Sequence, residues 1–226
     1  MEENSNLTAE RSLEIITEQI AQSRKNVSKS VGQSLYIAGI CMMGTCIAIA
    51  LVNYIFQTPM GHLLWFALPI FIWIASHKRK DEQAHAPATI VGTMVAKTWS
   101  TFCIFVLGFF FIALIWGFFA SRLYSPSEYI YMEIKVTPVI VLLMGMAVTI
   151  TGHILRQRWL VIFGIIAGLG CFMWEHLGIG KQLLIVLSGL SPDNLAISFT
   201  TLPCLTFVIF AFIGLTLPGL MLKRQK

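Results

Sequence analysis

From Ser30 to His77 the chain runs 48 residues without one Asp, Glu, Lys or Arg. A water-soluble domain cannot cover that much contiguous apolar surface, whereas a bilayer accepts about 20 apolar residues per helical crossing. Further uncharged runs follow at 98–121, 136–155 and 194–222, each at least 20 residues long. The chain is therefore expected to be a multi-pass membrane protein. Charged residues are only 12% of the whole, against about 25% in soluble domains, and the mean hydropathy is +0.75.

The spacing of the apolar runs predicts an all-α, polytopic bundle of six spans at 34–56, 61–76, 99–121, 136–154, 159–175 and 198–222. The second and fifth are short, which suits a path close to the membrane normal or a locally thin bilayer. Residues 1–33 are read as a cytoplasmic N-terminal segment, 34–222 as the transmembrane domain and 223–226 as a basic cytoplasmic tail. No cleavable signal is expected, because the first apolar run follows a polar stretch and lacks a small-residue cleavage site. The apolar run 182–192, 11 residues between Lys181 and Asp193, is too short to span and is expected at the outer interface, re-entering, or extending the preceding helix.

Orientation follows from lysine and arginine, which collect on the cytoplasmic side. With both termini inside, the inner regions hold Arg11, Arg24, Lys25, Lys29, Lys78, Arg79, Lys80, Lys97, Arg156, Arg158, Lys223, Arg224 and Lys226, 13 of the 16 bases. A seventh span within 182–192 would throw the terminal bases outside. The net charge of +5 thus marks topology and implies no nucleic-acid partner. Tryptophan prefers the headgroup level. In this arrangement Trp73, Trp99 and Trp159 fall at inner helix ends, Trp65, Trp116 and Trp174 at outer ends, with Tyr124, Tyr129 and Tyr131 adding to the outer belt. The acceptor patterns at Asn6 and Asn26 fall inside and should be silent.

Ahead of the first span, Thr8 is placed to cap a short amphipathic helix in which Ala9, Leu13, Ile16 and Ile20 recur at three- and four-residue spacing. Glu10, Glu14, Glu18 and Gln19 occupy its other faces. Such a stripe either lies against the membrane or the bundle, or docks a cytoplasmic or membrane protein partner. Leu13, Ile16 and Ile20 are the candidate docking residues.

Chemistry is sparse. His62, Glu175 and His176 could converge on the outer face, but they lie far apart in the sequence without metal-ligand spacing, so no metal is expected. His77, His85 and His153 read as polar helix ends and loop residues. No GxSxG, HExxH or phosphate-loop pattern occurs; Gly178-Ile179-Gly180-Lys181 lacks the glycine that opens one. No catalytic residue and no cofactor are predicted. Cys41, Cys46, Cys103, Cys171 and Cys204, odd in number and all in apolar runs, read as packing thiols.

Small residues say more. Gly164, Ala167 and Gly168 give the fifth span a face that lets a neighbouring backbone approach, within the bundle or in a homodimer. Pro69, Pro138, Pro203 and Pro218 lie in or at the starts of spans, where interior prolines kink helices. Basic endings recur after His77, His153 and Leu222, a weak sign of repeated hairpins.

The stretch Leu7-Thr8-Ala9-Glu10-Arg11-Ser12-Leu13-Glu14-Ile15-Ile16 followed by Gly39, Met144-Gly145 through Thr151-Gly152, and Leu217-Pro218-Gly219-Leu220 resemble a group of small multi-pass membrane proteins from Bacteroidota. The resemblance implies a bacterial inner membrane and carries no catalytic residue. The expected role is a non-enzymatic one, through helix packing and partner contacts in sensing or regulation. A small-solute transporter or channel is the alternative. It would need a hydrated path lined by Thr45, Asn53, Thr149 or Thr151, whereas a dry core under an exposed N-terminal helix favours a partner role.

Overall fold

Two residues, Arg156 and Gln157, separate the fourth and fifth apolar runs, and a connection that short forces the flanking helices to lie antiparallel. In the computed structural model, which describes residues 3–56, 59–77, 90–123, 136–180, 182, 186 and 195–224, they are α4 (Val136–Leu155) and α5 (Arg158–His176). Arg156 takes the left-handed conformation at φ 56°, and the Gln157 N–H reaches back to the Gly152 carbonyl at 2.9 Å, closing the helix end. Along this hairpin the backbones nearly touch. A Cβ on Gly145 would stand 2.6 Å from the Gly168 Cα, and one on Gly152 would stand 2.8 Å from the Val161 nitrogen.

A second seam joins the two ends of the chain. α1 is one continuous helix from Glu3 to Phe56, and the last helix runs as α6 (Leu195–Ala211), a five-residue π segment (Phe212–Thr216) and α7 (Leu217–Arg224). Gly39 of α1 abuts Thr216, and Gly219 of α7 abuts Gly32 and Tyr36. The ammonium of Lys223 sits 5.7 Å from the centre of the Tyr36 ring. The two helices are therefore antiparallel, with Lys29 and Lys223 at the same end. The π turn precedes Pro218, which has no N–H to offer the turn before it. It also carries Gly214 against Ala167 of α5 and Met144 of α4, so both seams meet there.

Between these lie a 3₁₀ helix (Pro59–Ala67), α2 (Leu68–His77) and α3 (Ile90–Leu123). The core is drawn from α1 (Leu35, Cys46, Ile49), α4 (Val141, Met144, Val148), α5 (Leu160, Ala167, Cys171) and the last helix (Phe207, Phe210, Leu215, Leu222). The side chains of α3 are mostly uncovered: Leu107, Phe111, Ile115 and Phe119 are all exposed, and Val95 is buried near its start.

All described elements are helical, and five helices are long and apolar enough to cross a membrane: Arg11–Asn53, Ile90–Phe119, Val136–Leu155, Arg158–His176 and Leu202–Arg224. One local expectation is revised. The N-terminal helix and the first span are one 54-residue helix, so Thr8 lies inside it and not at its start. Trp65 and Trp174 do not merely edge the bundle. Their rings pack on Phe207 and Phe210, with centroids 5.0 and 6.0 Å apart. His85, Tyr124, Tyr129, Tyr131 and most of 182–192 lie outside the described residues.

Candidate functional site

Four polar residues test for a hydrated path, and the three threonines among them are closed. The hydroxyls of Thr45, Thr149 and Thr151 donate to carbonyls of their own helices, Cys41 at 2.8 Å, Gly145 at 2.8 Å and Ala147 at 2.7 Å. Such back-bonding satisfies a hydroxyl in an apolar setting without needing water. Asn53, only 3% exposed, accepts the Gly61 N–H through Oδ1 at 2.9 Å and thereby fixes the first turn of the 3₁₀ helix.

The half of the bundle away from Lys29 and Lys223 contains one polar contact that sequence spacing does not suggest. Thr206, fully buried on α6, donates to Oε1 of Glu175 at 2.8 Å. Glu175 therefore turns onto the neighbouring helix instead of simply ending α5. Thr206 lies 17 residues before Lys223, about 25 Å along a helix, so the pair sits toward the end of the bundle opposite Lys29 and Lys223. Trp174, one residue earlier, has a buried indole Nε1 with no hydrogen-bond partner among the described residues. His176 is exposed, and no group of three or more His, Cys, Asp or Glu among the described residues could hold a metal ion.

The small-residue candidates fall on two different contacts. Gly164 and Gly168 face α4, where Gly164 meets Thr149 and the Gly145 carbonyl, while Ala167 faces Gly214 of the π segment. Gly145, Gly152, Gly32, Gly39 and Gly219 share this role and were missed as candidates. The seven-residue spacings Gly32–Gly39 and Gly145–Gly152 were the available signal.

The docking candidates lie on the part of α1 that precedes the uncharged run. Residues 3–29 continue the helix for about 40 Å at 1.5 Å per residue. Leu13, Ile16 and Ile20 there are 65%, 51% and 52% exposed, beside exposed Glu14 and Glu18. Residues 11–22 are exposed on every face, so the stripe is uncovered.

Taken together these features define an all-helical protein whose apolar helices are long enough to cross a membrane, with a close-packed core and one uncovered polar-apolar extension. No protein-family model, no curated protein and no solved structure matches the chain.

Proposed function

We propose that this chain is a six-span, non-enzymatic protein of a bacterial inner membrane, with both termini cytoplasmic, acting in sensing or regulation through contact with a protein partner. The observation that carries the reading is the contrast between closed threonines in the core and the uncovered stripe of Leu13, Ile16 and Ile20. The acidic flank of Glu14 and Glu18 suits a partner whose apolar groove is rimmed by basic side chains.

Six crossings are supported by parity. Lys29 and Lys223 lie at one end of the bundle, so the chain between them crosses an even number of times, and five long helices leave one crossing to be found. Pro59–His77 supplies it. Nine 3₁₀ residues at about 2.0 Å and ten α residues at about 1.5 Å reach roughly 33 Å, enough for a hydrocarbon layer of about 30 Å. The cytoplasmic placement of that end rests on the distribution of lysine and arginine.

Changing Leu13 and Ile16 together to Asp tests the partner role. The spans should still insert, while crosslinking and pull-down from native membranes should lose the partners that the parent chain recovers, since each buried side chain contributes about 1.5–3 kcal/mol. Unchanged partners at unchanged yield would refute docking through this helix. That outcome would leave the second reading, a small-solute transporter or channel, which draws on the Glu175 carboxylate held against Thr206 inside the bundle.

A further inference from the structure

The 3₁₀ helix from Pro59 to Ala67 is nine residues long, whereas such helices rarely exceed three or four because their hydrogen bonds are poorly aligned. Something must hold it. At its start the Gly61 N–H is taken by Asn53 Oδ1, and Gly61 lies so close to α1 that a Cβ there would stand 2.9 Å from the Ile49 carbonyl oxygen. Further on, Trp65 packs on Phe207 of α6, and Phe66 meets Phe110 of α3 edge-on at 5.8 Å. The latch is incomplete: Asn53 is 97% buried, and its Nδ2 has no hydrogen-bond partner among the described residues. The extended form is thus maintained against an unmet polar group, which its release would free.

We infer that Pro59–Ala67 is a length-adjusting element that responds to bilayer thickness by exchanging 3₁₀ for α turns. Each residue converted shortens the path by about 0.5 Å and turns α2 by about 20°, because the two helices differ in rise and in residues per turn. Full conversion draws α2 about 4.5 Å toward the outer end, and Pro59–His77 then reaches roughly 28 Å instead of 33 Å. Thin bilayers favour the short form and thick ones the long form, since mismatch between apolar length and hydrocarbon thickness is unfavourable in either direction. Turning α2 brings no charge into lipid, because the uncharged run extends through His77. The partner of this device is the lipid itself, and the inference rests on reading Pro59–His77 as a crossing.

The test is a distance measured in vesicles of two thicknesses. Nitroxides at Ile55→Cys and Ile74→Cys, two exposed positions on α1 and α2, are placed in a chain whose five native cysteines are changed to alanine. Electron–electron resonance is recorded in phosphatidylcholine with 14-carbon and with 22-carbon monounsaturated chains. The expected result is a changed distance in the thin bilayer, Ile74 moving about 2 to 4.5 Å along the axis while α2 turns by about 20° for each residue converted, with a control pair at Ile150→Cys and Ile162→Cys on α4 and α5 unchanged. Asn53→Ala should give the thin-bilayer distance in both lipids. If the cysteine-free chain loses the control distance, the comparison moves to the native chain by solid-state NMR, reading backbone carbonyl shifts of Leu63 and Leu64. Equal distances, or equal shifts, in both lipids overturn the length-adjusting element. A tag inserted after His77 separates the two failures: reached from the inner face, it leaves the crossing standing, and reached from outside, it overturns both.

Discussion

The α4–α5 hairpin and α3 are both apolar along their lengths, yet one forms the middle of the bundle and the other stands largely uncovered. The difference lies in side-chain size. α4 and α5 present Gly145, Gly152, Gly164 and Gly168 to each other, so backbones meet, while α3 presents Leu107, Phe111, Ile115 and Phe119 outward. Lipid tails are as apolar as leucine, so apolarity gives helices no reason to associate in a bilayer. Close van der Waals fit between small residues does. Hydropathy therefore finds both helices and cannot rank them, whereas the distribution of glycine can.

The comparison breaks most plainly at two phenylalanines. Phe207, 5% exposed and packed at a tilt on Trp65, should lose about 3 kcal/mol on change to Ala, mainly through the cavity left behind. Phe111→Ala, at a position 59% exposed, should move stability by no more than about 0.5 kcal/mol. Reversible unfolding in mixed micelles measures both, and equal losses would mean that α3 is packed as tightly as the last helix.

Next come the glycines of the hairpin. Gly145→Ala and Gly164→Ala each push a methyl group into facing backbone and should destabilise by about 1–3 kcal/mol. Gly168→Ala meets its nearest atom, the Gly145 Cα, at 3.4 Å, an ordinary contact, and should be nearly neutral. Thermal unfolding of the three single variants ranks them. Gly168→Ala proving the worst would reverse the assignment of the contact.

The smallest effect has the opposite sign. A Cβ on Gly108 of α3 meets nothing within 4 Å. Replacing that glycine by alanine should therefore stabilise the helix by about 0.5–1 kcal/mol. A destabilised Gly108→Ala protein, in the same unfolding assay, would place an unseen neighbour against α3.

The uncharged runs made the spanning helices legible, because lipid demands length and apolarity and little else. The joining of the N-terminal helix to the first span was less visible. Between Ile20 and Ser34 there is no proline, and Gly32, which reads as a break, is small because Gly219 and Leu222 lie against it. The 3₁₀ form of Pro59–Ala67 was hidden because its support comes from Asn53 and Phe207, distant in sequence or on another helix. Of the candidate site, the exposed stripe of Leu13, Ile16 and Ile20 could be read from periodicity alone. The contact of Glu175 with Thr206 could not, since it depends on how α5 and α6 are rotated about their axes.

The unbroken α1 also has a mechanical side. Gly32, the last point at which α1 is gripped, by Gly219 and Leu222, stands 19 residues from Leu13, an arm of about 28 Å. A rigid rod multiplies angle by length. A tilt of about 10° at the grip would sweep Leu13 sideways by roughly 5 Å, so small rearrangements among glycines inside the bundle reach the far end of the helix as displacements about as wide as a side chain.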